Sequence, residues 1–486
     1  MAKLRWAWLL LAAGSGATAG ADTPPLPLSV QVALRQAQVP ASALGVVVQA
    51  LDEPRPRLAW QADLALNPAS VTKLVTSLAA LDTLGPAWQW QTPVWLTDDG
   101  GLAIQGSGDP RLSTERLWAA LKRLPLREPR ELRGPLVLDR SAFTPGSAAP
   151  GDFDGEPWRV GNAQPEALLL NFKAVTYTLR PDGAQARITA DPAFDPPASV
   201  PTTAGPCGDW RSALKLQWTQ AQPGSPAERP RFAGSYATAC GEQSWTLADP
   251  DPASYPARLL ALTLRDAGIT APGPVIDAAA PATAPTLLWP GPTLAEALRD
   301  MNKGSSNLIA QQVLLSTARA AGVPAPSPDT AAAWLQTWLD QHAGRSPPSH
   351  VANGSGLARD TRISPGQLAG LLRWGWAQPW MPELLASLPV AGLDGTLSRQ
   401  PSRFGAAAGR AHLKTGSLRD AVALAGIVDA PSGRRWVLVA LVNHPQAQAA
   451  RPVLDALLRW VAQDAPEGRS GGGEAAAPPP GVRRSR

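Results

Sequence analysis

Sulfur and imidazole are scarce in this chain. Among 486 residues there are two cysteines, three methionines and four histidines. His342, His350, His412 and His444 are far apart in sequence, and neither cysteine has histidines close by. That spacing offers no metal site, so no metal or other cofactor is expected. A cysteine nucleophile has no supporting pattern either. Lysine is rare too, with seven residues against 37 arginines. No apolar run approaches the ~18 residues of a membrane-spanning helix. An excess of one charge is missing as well. The formal net charge is +5, but Lys3 and Arg5 carry two units and the tail from Ala465 to Arg486 another two. The body from Asp22 to Asp464 is left near +1. No basic face is implied, which excludes a nucleic-acid partner.

What is present is enough to fold. Apolar residues make up 44% and charged residues 17%, so a core can form. The length suggests two or three domains. The 52 prolines favour loops and strand edges over a helical bundle. Residues 1–21 read as a secretory signal. Lys3 and Arg5 start it, Trp6 to Ala13 is a short apolar run, and Ala17-Thr18-Ala19 and Ala19-Gly20-Ala21 are small-residue cleavage sites. No lipobox-type cysteine follows, so membrane contact is at most peripheral. In an exported chain, Cys207 and Cys240 read as a disulfide across a 33-residue separation. Such a cross-link contributes about 3–4 kcal/mol in the loop-entropy picture.

The chain divides by character. Residues 22–90 hold a strand at Leu44–Leu51, a turn through Pro54 and Pro56, and a return strand at Leu58–Ala62. A helix follows, with Asn67 as its cap, Pro68 in the first position, and Val71, Leu74, Val75 and Leu78 on one face. Residues 91–286, rich in Pro, Gly and Thr, read as a mostly β insertion. Residues 287–464 return to helices at Leu294–Met301, Ser306–Arg319 and Val453–Val461. Between these lies a meander of His412–Gly416, Ala421–Val428 and Trp436–Asn443. Residues 465–486, with Gly471-Gly472-Gly473 and Pro478-Pro479-Pro480, read as a disordered tail. Strands near both ends of the body predict an α/β (α+β) fold with one antiparallel sheet completed by distant segments.

Three motifs occur in order: Ser70-Val71-Thr72-Lys73, Ser305-Ser306-Asn307 and Lys414-Thr415-Gly416. Ser70 and Lys73 are three apart on a helix and share a face. Ser70 lies in the first turn, where free N–H groups favour a developing anion. A lysine serves as base only if burial or a neighbouring cation lowers its pKa. Lys414 supplies such a cation and can also bind a carboxylate. Ser305 can relay a proton to a leaving amine. Asn307 can bond a substrate amide and Lys73. Gly416 allows a substrate backbone to lie close, and the Ser417 N–H can join that of Ser70 as an oxyanion hole. A second Ser-x-x-Lys, Ser212 to Lys215, has Leu214, Leu216 and Trp218 in alternation. It reads as a strand with Ser212 and Lys215 on opposite faces, so it is structural. Two of the seven lysines fall where arginine could not act as a base. Core packing is expected to account for most of the 19 tryptophans, and turn chemistry for Asp109 and Asp394.

With these motifs the sequence resembles the D-alanyl-D-alanine carboxypeptidase/endopeptidases of the class C low-molecular-mass penicillin-binding proteins, from about Leu44 to Val461. Gly106-Ser107-Gly108-Asp109-Pro110, Asn353-Gly354-Ser355-Gly356-Leu357, Leu388-Pro389-Val390-Ala391-Gly392 and Asp394-Gly395-Thr396-Leu397 add to the likeness, as does the long separation from Lys73 to Ser305. Asn353 stands where Asp is common in the family, and Ala358 where Ser is common. The resemblance implies a periplasmic serine hydrolase acting on peptidoglycan stem peptides through an acyl-enzyme on Ser70. It also implies β-lactams as covalent inhibitors. Ser70, Lys73, Ser305, Asn307 and Lys414 would be catalytic, and Thr415, Gly416 and Ser417 would bind substrate. A β-lactamase or esterase on the same chemistry, and a non-catalytic wall-binding protein, are the competing expectations. A homo-oligomer is compatible with the sequence.

Overall fold

The structure is a computed structural model and describes residues 25–194, 198–219, 229–398 and 401–465. The expected signal segment 1–21 lies outside the described residues, as does the expected tail apart from Ala465.

Strand Leu44–Ala50 is buried at every position. It pairs antiparallel with Arg435–Asn443 on one side and Leu58–Trp60 on the other. Ala411–Leu418 and Ala421–Asp429 complete a five-stranded sheet in which Ala411–Leu418 is an edge. Alternate residues serve two cores, as a strand's two-residue period requires. Val46 and Val48 face helices Leu28–Gln36 and Arg451–Ala462. Val47 faces the opposite layer of helices, Thr72–Leu84, Asn307–Ala320, Pro328–Ala343 and Pro365–Trp376. With both faces covered, these strands are near-continuous apolar runs. The mixed α/β fold and the sheet built from both ends of the body agree with the sequence reading.

The intervening segment starts and finishes on neighbouring strands, Gln89–Leu96 and Leu287–Thr293, which pair antiparallel. Together with Leu102–Gln105, Leu136–Asp139 and Val275–Asp277 they form a second five-stranded sheet. Ala174–Asp182, Gln185–Asp191, Ala198–Thr203, Tyr236–Ala237 and Gln243–Ala248 form a third. A separate apolar core fills this region. Cys207 and Cys240 are joined in a disulfide.

Two local expectations need correction. Ser212 lies in a one-turn helix, Trp210–Ala213, and not in a strand. Asp209 caps that turn and holds the Ser212 hydroxyl at 2.7 Å, a local competition that hydrophobic alternation does not register. The α-helix after Pro68 begins only at Thr72. Ala69–Val71 is a 3₁₀ turn entered through Pro68, and the Asn67 side chain braces its start by accepting the Ala69 N–H at 2.8 Å.

Candidate active site

Ser70 sits on that 3₁₀ turn. Ala69, just before it, is buried with φ +48, a left-handed conformation that costs free energy for a residue with a Cβ. Its surroundings impose the conformation. Its carbonyl accepts the Thr72 hydroxyl at 2.8 Å. Two glycines close on it from opposite segments. A Cβ on Gly356 would lie 1.9 Å from the Ala69 carbonyl oxygen, and one on Gly416 would lie 2.5 Å from that of Pro68. The Ser70 turn is thus held between the 353–357 loop and the Lys414–Ser417 strand.

Lys73 is fully buried on the helix that follows. Its Nζ donates to Ser355 O at 2.6 Å, Asn307 Oδ1 at 2.8 Å and Ser70 Oγ at 3.2 Å. The Asn307 amide orientation is fixed by its other end, which donates to Gly161 O at 3.3 Å. Burial, and secondarily the charge of Lys414, push the Lys73 pKa well below that of an ordinary lysine. A neutral amine has two N–H groups and one lone pair. Asn307 Oδ1 and the Ser355 carbonyl can only accept, so in the neutral amine they take the two N–H groups and leave the lone pair for the Ser70 hydroxyl.

Lys414 is also fully buried. Burial pushes its pKa down to about 7. Its Nζ donates to Ser305 Oγ at 2.8 Å and to the Thr415 carbonyl at 2.8 Å. Ser305 ends helix Leu294–Gly304 in a left-handed conformation, φ +55. Ser306 then caps helix Asn307–Ala320 by accepting the Ile309 N–H. This break between two helices turns the Ser305 hydroxyl to one lysine and the Asn307 amide to the other. The Thr415 hydroxyl lies 2.8 Å from that of Thr396. Ser417 is exposed near the end of the strand.

Edge geometry adds a further element. Residues 389–391 run along the outer edge of Ala411–Leu418, with Val390 opposite His412. The Leu413 N–H donates to Pro389 O at 2.9 Å. Among the described residues, no strand pairs with that edge beyond Leu413. The Lys414–Leu418 edge is open toward the Ser70 turn.

The structure therefore brings Ser70, Lys73, Ser305, Asn307 and Lys414 into one hydrogen-bonded constellation, with Thr415 and Gly416 bordering it. It also adds groups that motif reading did not assign. Ser355 contributes a carbonyl, and Asn353 holds its loop by accepting from the N–H groups of Ser355 and Gly356. The Asn-Gly-Ser-Gly turn was the available signal, but a carbonyl leaves no side-chain trace. Lys303 pairs with Asp394 at 2.5 Å and donates to Leu388 O at 2.6 Å. Asp394 also accepts the Val390 N–H at 2.7 Å, so it anchors the edge segment as well as its own turn. His412 turns away from the lysines, with Nδ1 3.1 Å from Leu385 O. Asp109 accepts the Arg111 N–H and pairs with Arg116 at 3.2 Å, a structural role. Among the described residues there is no cluster of metal-ligating side chains.

A family model described as the D-Ala-D-Ala carboxypeptidase 3 (S13) family matches residues 26–464. The chain is 28% identical over 437 residues to a D-alanyl-D-alanine carboxypeptidase of Actinomadura sp. strain R39, covering 83% of this chain and 79% of that one. It is 24% identical over 390 residues to the D-alanyl-D-alanine carboxypeptidase DacB of Haemophilus influenzae, covering 77% and 80%. The fold superposes on the crystal structure of penicillin binding protein 4 from H. influenzae. The TM-score is 0.71 at 22% identity, over 89% of this chain and all of that one.

Proposed function

The chain belongs to the D-Ala-D-Ala carboxypeptidase 3 (S13) family of serine-type peptidases, and from that membership we propose how its residues carry out the reaction. Ser70 attacks the carbonyl between two D-alanines of a stem peptide, or the carbonyl of a D-alanine cross-link. Lys73, neutral at its lone pair, takes the hydroxyl proton. The tetrahedral oxyanion is met by the N–H groups of Ser70 and Ser417. Ser305 passes its hydroxyl proton to the leaving amine and takes one back from Lys414, whose Nζ donates to it at 2.8 Å. Water then releases the acyl group from Ser70. The substrate backbone lies against the open Lys414–Leu418 edge as an added strand. A β-lactam acylates the same serine. The enzyme works on the cell wall. Export by cleavage of residues 1–21 and a periplasmic location are part of this proposal, as is an inserted unit at 91–286 that forms the rim beside Asn307.

The observation that carries the assignment is the partner set of Lys73, with two pure acceptors and the Ser70 hydroxyl. The deciding experiment pairs fluorescent penicillin labelling with D-alanine release from a stem pentapeptide, on wild type and Ser70→Ala. Both signals are expected in wild type and neither in the variant. Labelling that persists in Ser70→Ala would overturn the nucleophile. Hydrolysis of cephalosporin with no D-alanine release would favour the lactamase alternative.

A further inference from the structure

The inserted region carries two cavities that the acyl-transfer chemistry does not use, and Trp158 lines both. One, of about 340 Å³, has Trp158 and Trp218 in its wall together with Gln164 and Lys173. The other, of about 620 Å³, lies among Trp158, Trp245, Arg211 and Ser244. Both fall in the size range of small-ligand sites, about 300–1,000 Å³. The three tryptophans pack on the third core and stay half-buried, so each ring keeps an open part. The Trp158 and Trp218 rings are 6.2 Å apart and tilted by 33°. Arg211 lies over the Trp245 ring at 5.9 Å.

Lys173 reaches the first cavity from a strained backbone. Asn171, Phe172 and Lys173 are three consecutive left-handed residues, with φ +43, +56 and +51. Such a run costs free energy in residues with a Cβ. Neighbours hold it in place. The Asn171 side chain donates to the Tyr255 hydroxyl at 3.1 Å, and the Asp249 N–H donates to Lys173 O at 2.8 Å. The Lys173 ammonium pairs with Glu166 at 3.1 Å. An ammonium has three N–H groups, so one ion pair leaves it able to donate further.

The cavities adjoin the cleft. The Trp158 carbonyl accepts the Ala248 N–H at 2.8 Å, which fixes this segment on strand Gln243–Ala248. Three residues after Trp158, the Gly161 carbonyl accepts from Asn307 at 3.3 Å. That stretch of chain spans at most ~11 Å.

We propose that this face binds the glycan strand of the cell wall, with successive N-acetylated sugars stacked on Trp158 and flanked by Trp218 and Trp245. The proposal rests on the acyl-enzyme reading above. One face of a pyranose ring is lined with polarised C–H groups, which suit the negative face of an indole. Its rim carries hydroxyl and acetamido groups, which suit Lys173, Gln164 and Arg211. A purely apolar ligand would use the rings and leave these donors unpaired. The reach agrees. A stem peptide hangs from its sugar by the N-terminal end, and the about four residues up to the attacked carbonyl span at most ~14 Å. A stem with that carbonyl at Ser70 and an amide at Asn307 therefore brings its sugar into the neighbourhood of Trp158. The site would favour stems still attached to glycan over free peptides.

The test uses the full chain and peptide-free glycan strands of alternating N-acetylglucosamine and N-acetylmuramic acid, with binding read by calorimetry. Wild type is expected to bind, and Trp158→Ala and Arg211→Glu to bind about tenfold more weakly, as for anchoring aromatic and arginine side chains. Arg211 is exposed, so its variant remains informative if Trp158→Ala does not fold. KM for D-alanine release from a disaccharide-linked pentapeptide should rise about tenfold in both variants, and KM for the free pentapeptide should not. Wild type that is labelled by penicillin and does not bind the strands would overturn the inference and leave the acyl-enzyme reading standing. An equal rise in KM for both substrates would make Trp158 and Arg211 props for the Gly161 turn, and would overturn it too. Wild type that neither reacts with penicillin nor releases D-alanine would overturn the acyl-enzyme reading itself, and this inference with it.

Discussion

Two fully buried lysines in one cleft are unfavourable to the fold and useful to the chemistry. Each loses hydration, and Lys414 further disfavours the charge on Lys73. Removing the Lys414 charge should therefore raise the Lys73 pKa. In Lys414→Gln, the acid limb of the acylation pH profile is expected to move to higher pH, beyond any loss of rate. A limb that stays in place would mean that the two lysines are not coupled. Stability follows the same sign. Lys414 titrates near 7 in the folded protein and at about 10.4 when unfolded. Between those values the unfolded chain binds more protons, so stability rises with pH across that window. Below it, both states are protonated and the burial penalty is complete. Urea unfolding at pH 6 and pH 9 should show wild type gaining more than Lys414→Met. Replacing the proposed base, Lys73→Ala, should lower penicillin acylation by about 10²–10⁴-fold while Ser70 remains in place.

At the scale of elements, the site depends on where helices and strands stop. Ser305 is aimed by a helix ending in a left-handed residue, and Ser70 by a 3₁₀ turn whose preceding Ala69 is also left-handed. The contacts that hold Ala69 are tight. Gly356 has φ +74, and a methyl there would run into the Ala69 backbone. Gly356→Ala is expected to destabilise by about 1–3 kcal/mol and to depress acylation, read by thermal melting and penicillin labelling. A variant with wild-type melting and labelling would show that the turn has room that this geometry denies. These contacts were not legible in the sequence, because a glycine 287 positions away from Ala69 gives no local signal. The helix itself was legible from Val71, Leu74, Val75 and Leu78. Its starting residue was not, since Asn67 and Pro68 serve a 3₁₀ turn equally well. The strand expected at Ser212–Lys215 failed for a related reason. Asp209 forms a side-chain cap that outweighs a short alternation.

The whole molecule separates its stabilising devices. Two cores flank the sheet built from both ends of the body, and a third fills the region that carries the disulfide. Cys240 packs in that third core, which shares no residue with the constellation around Ser70. Cys207→Ser/Cys240→Ser should lose about 3–4 kcal/mol of stability in that region and keep penicillin labelling at low temperature. Loss of labelling in the folded double variant would show that the insert sets the cleft more tightly than its contacts at Asn307 suggest.

The sequence alone determined the chemistry on offer. Three ordered motifs, two of them holding rare lysines, offer the serine, the amine and the second cation to which the proposed roles of nucleophile and base fall. The apolar runs at both ends of the body specify a shared sheet. Tertiary structure decided which groups surround each lysine. Burial lowers both pKa values, the Ser355 carbonyl and Asn307 orient the Lys73 lone pair, and the 389–391 segment leaves half of a strand edge open. It also decided that Trp158, in no motif, lines two cavities three residues before Gly161. Such facts arise from contacts between distant segments. A local pattern of residues records propensity and periodicity, but not the neighbours a side chain will meet once the chain has closed on itself.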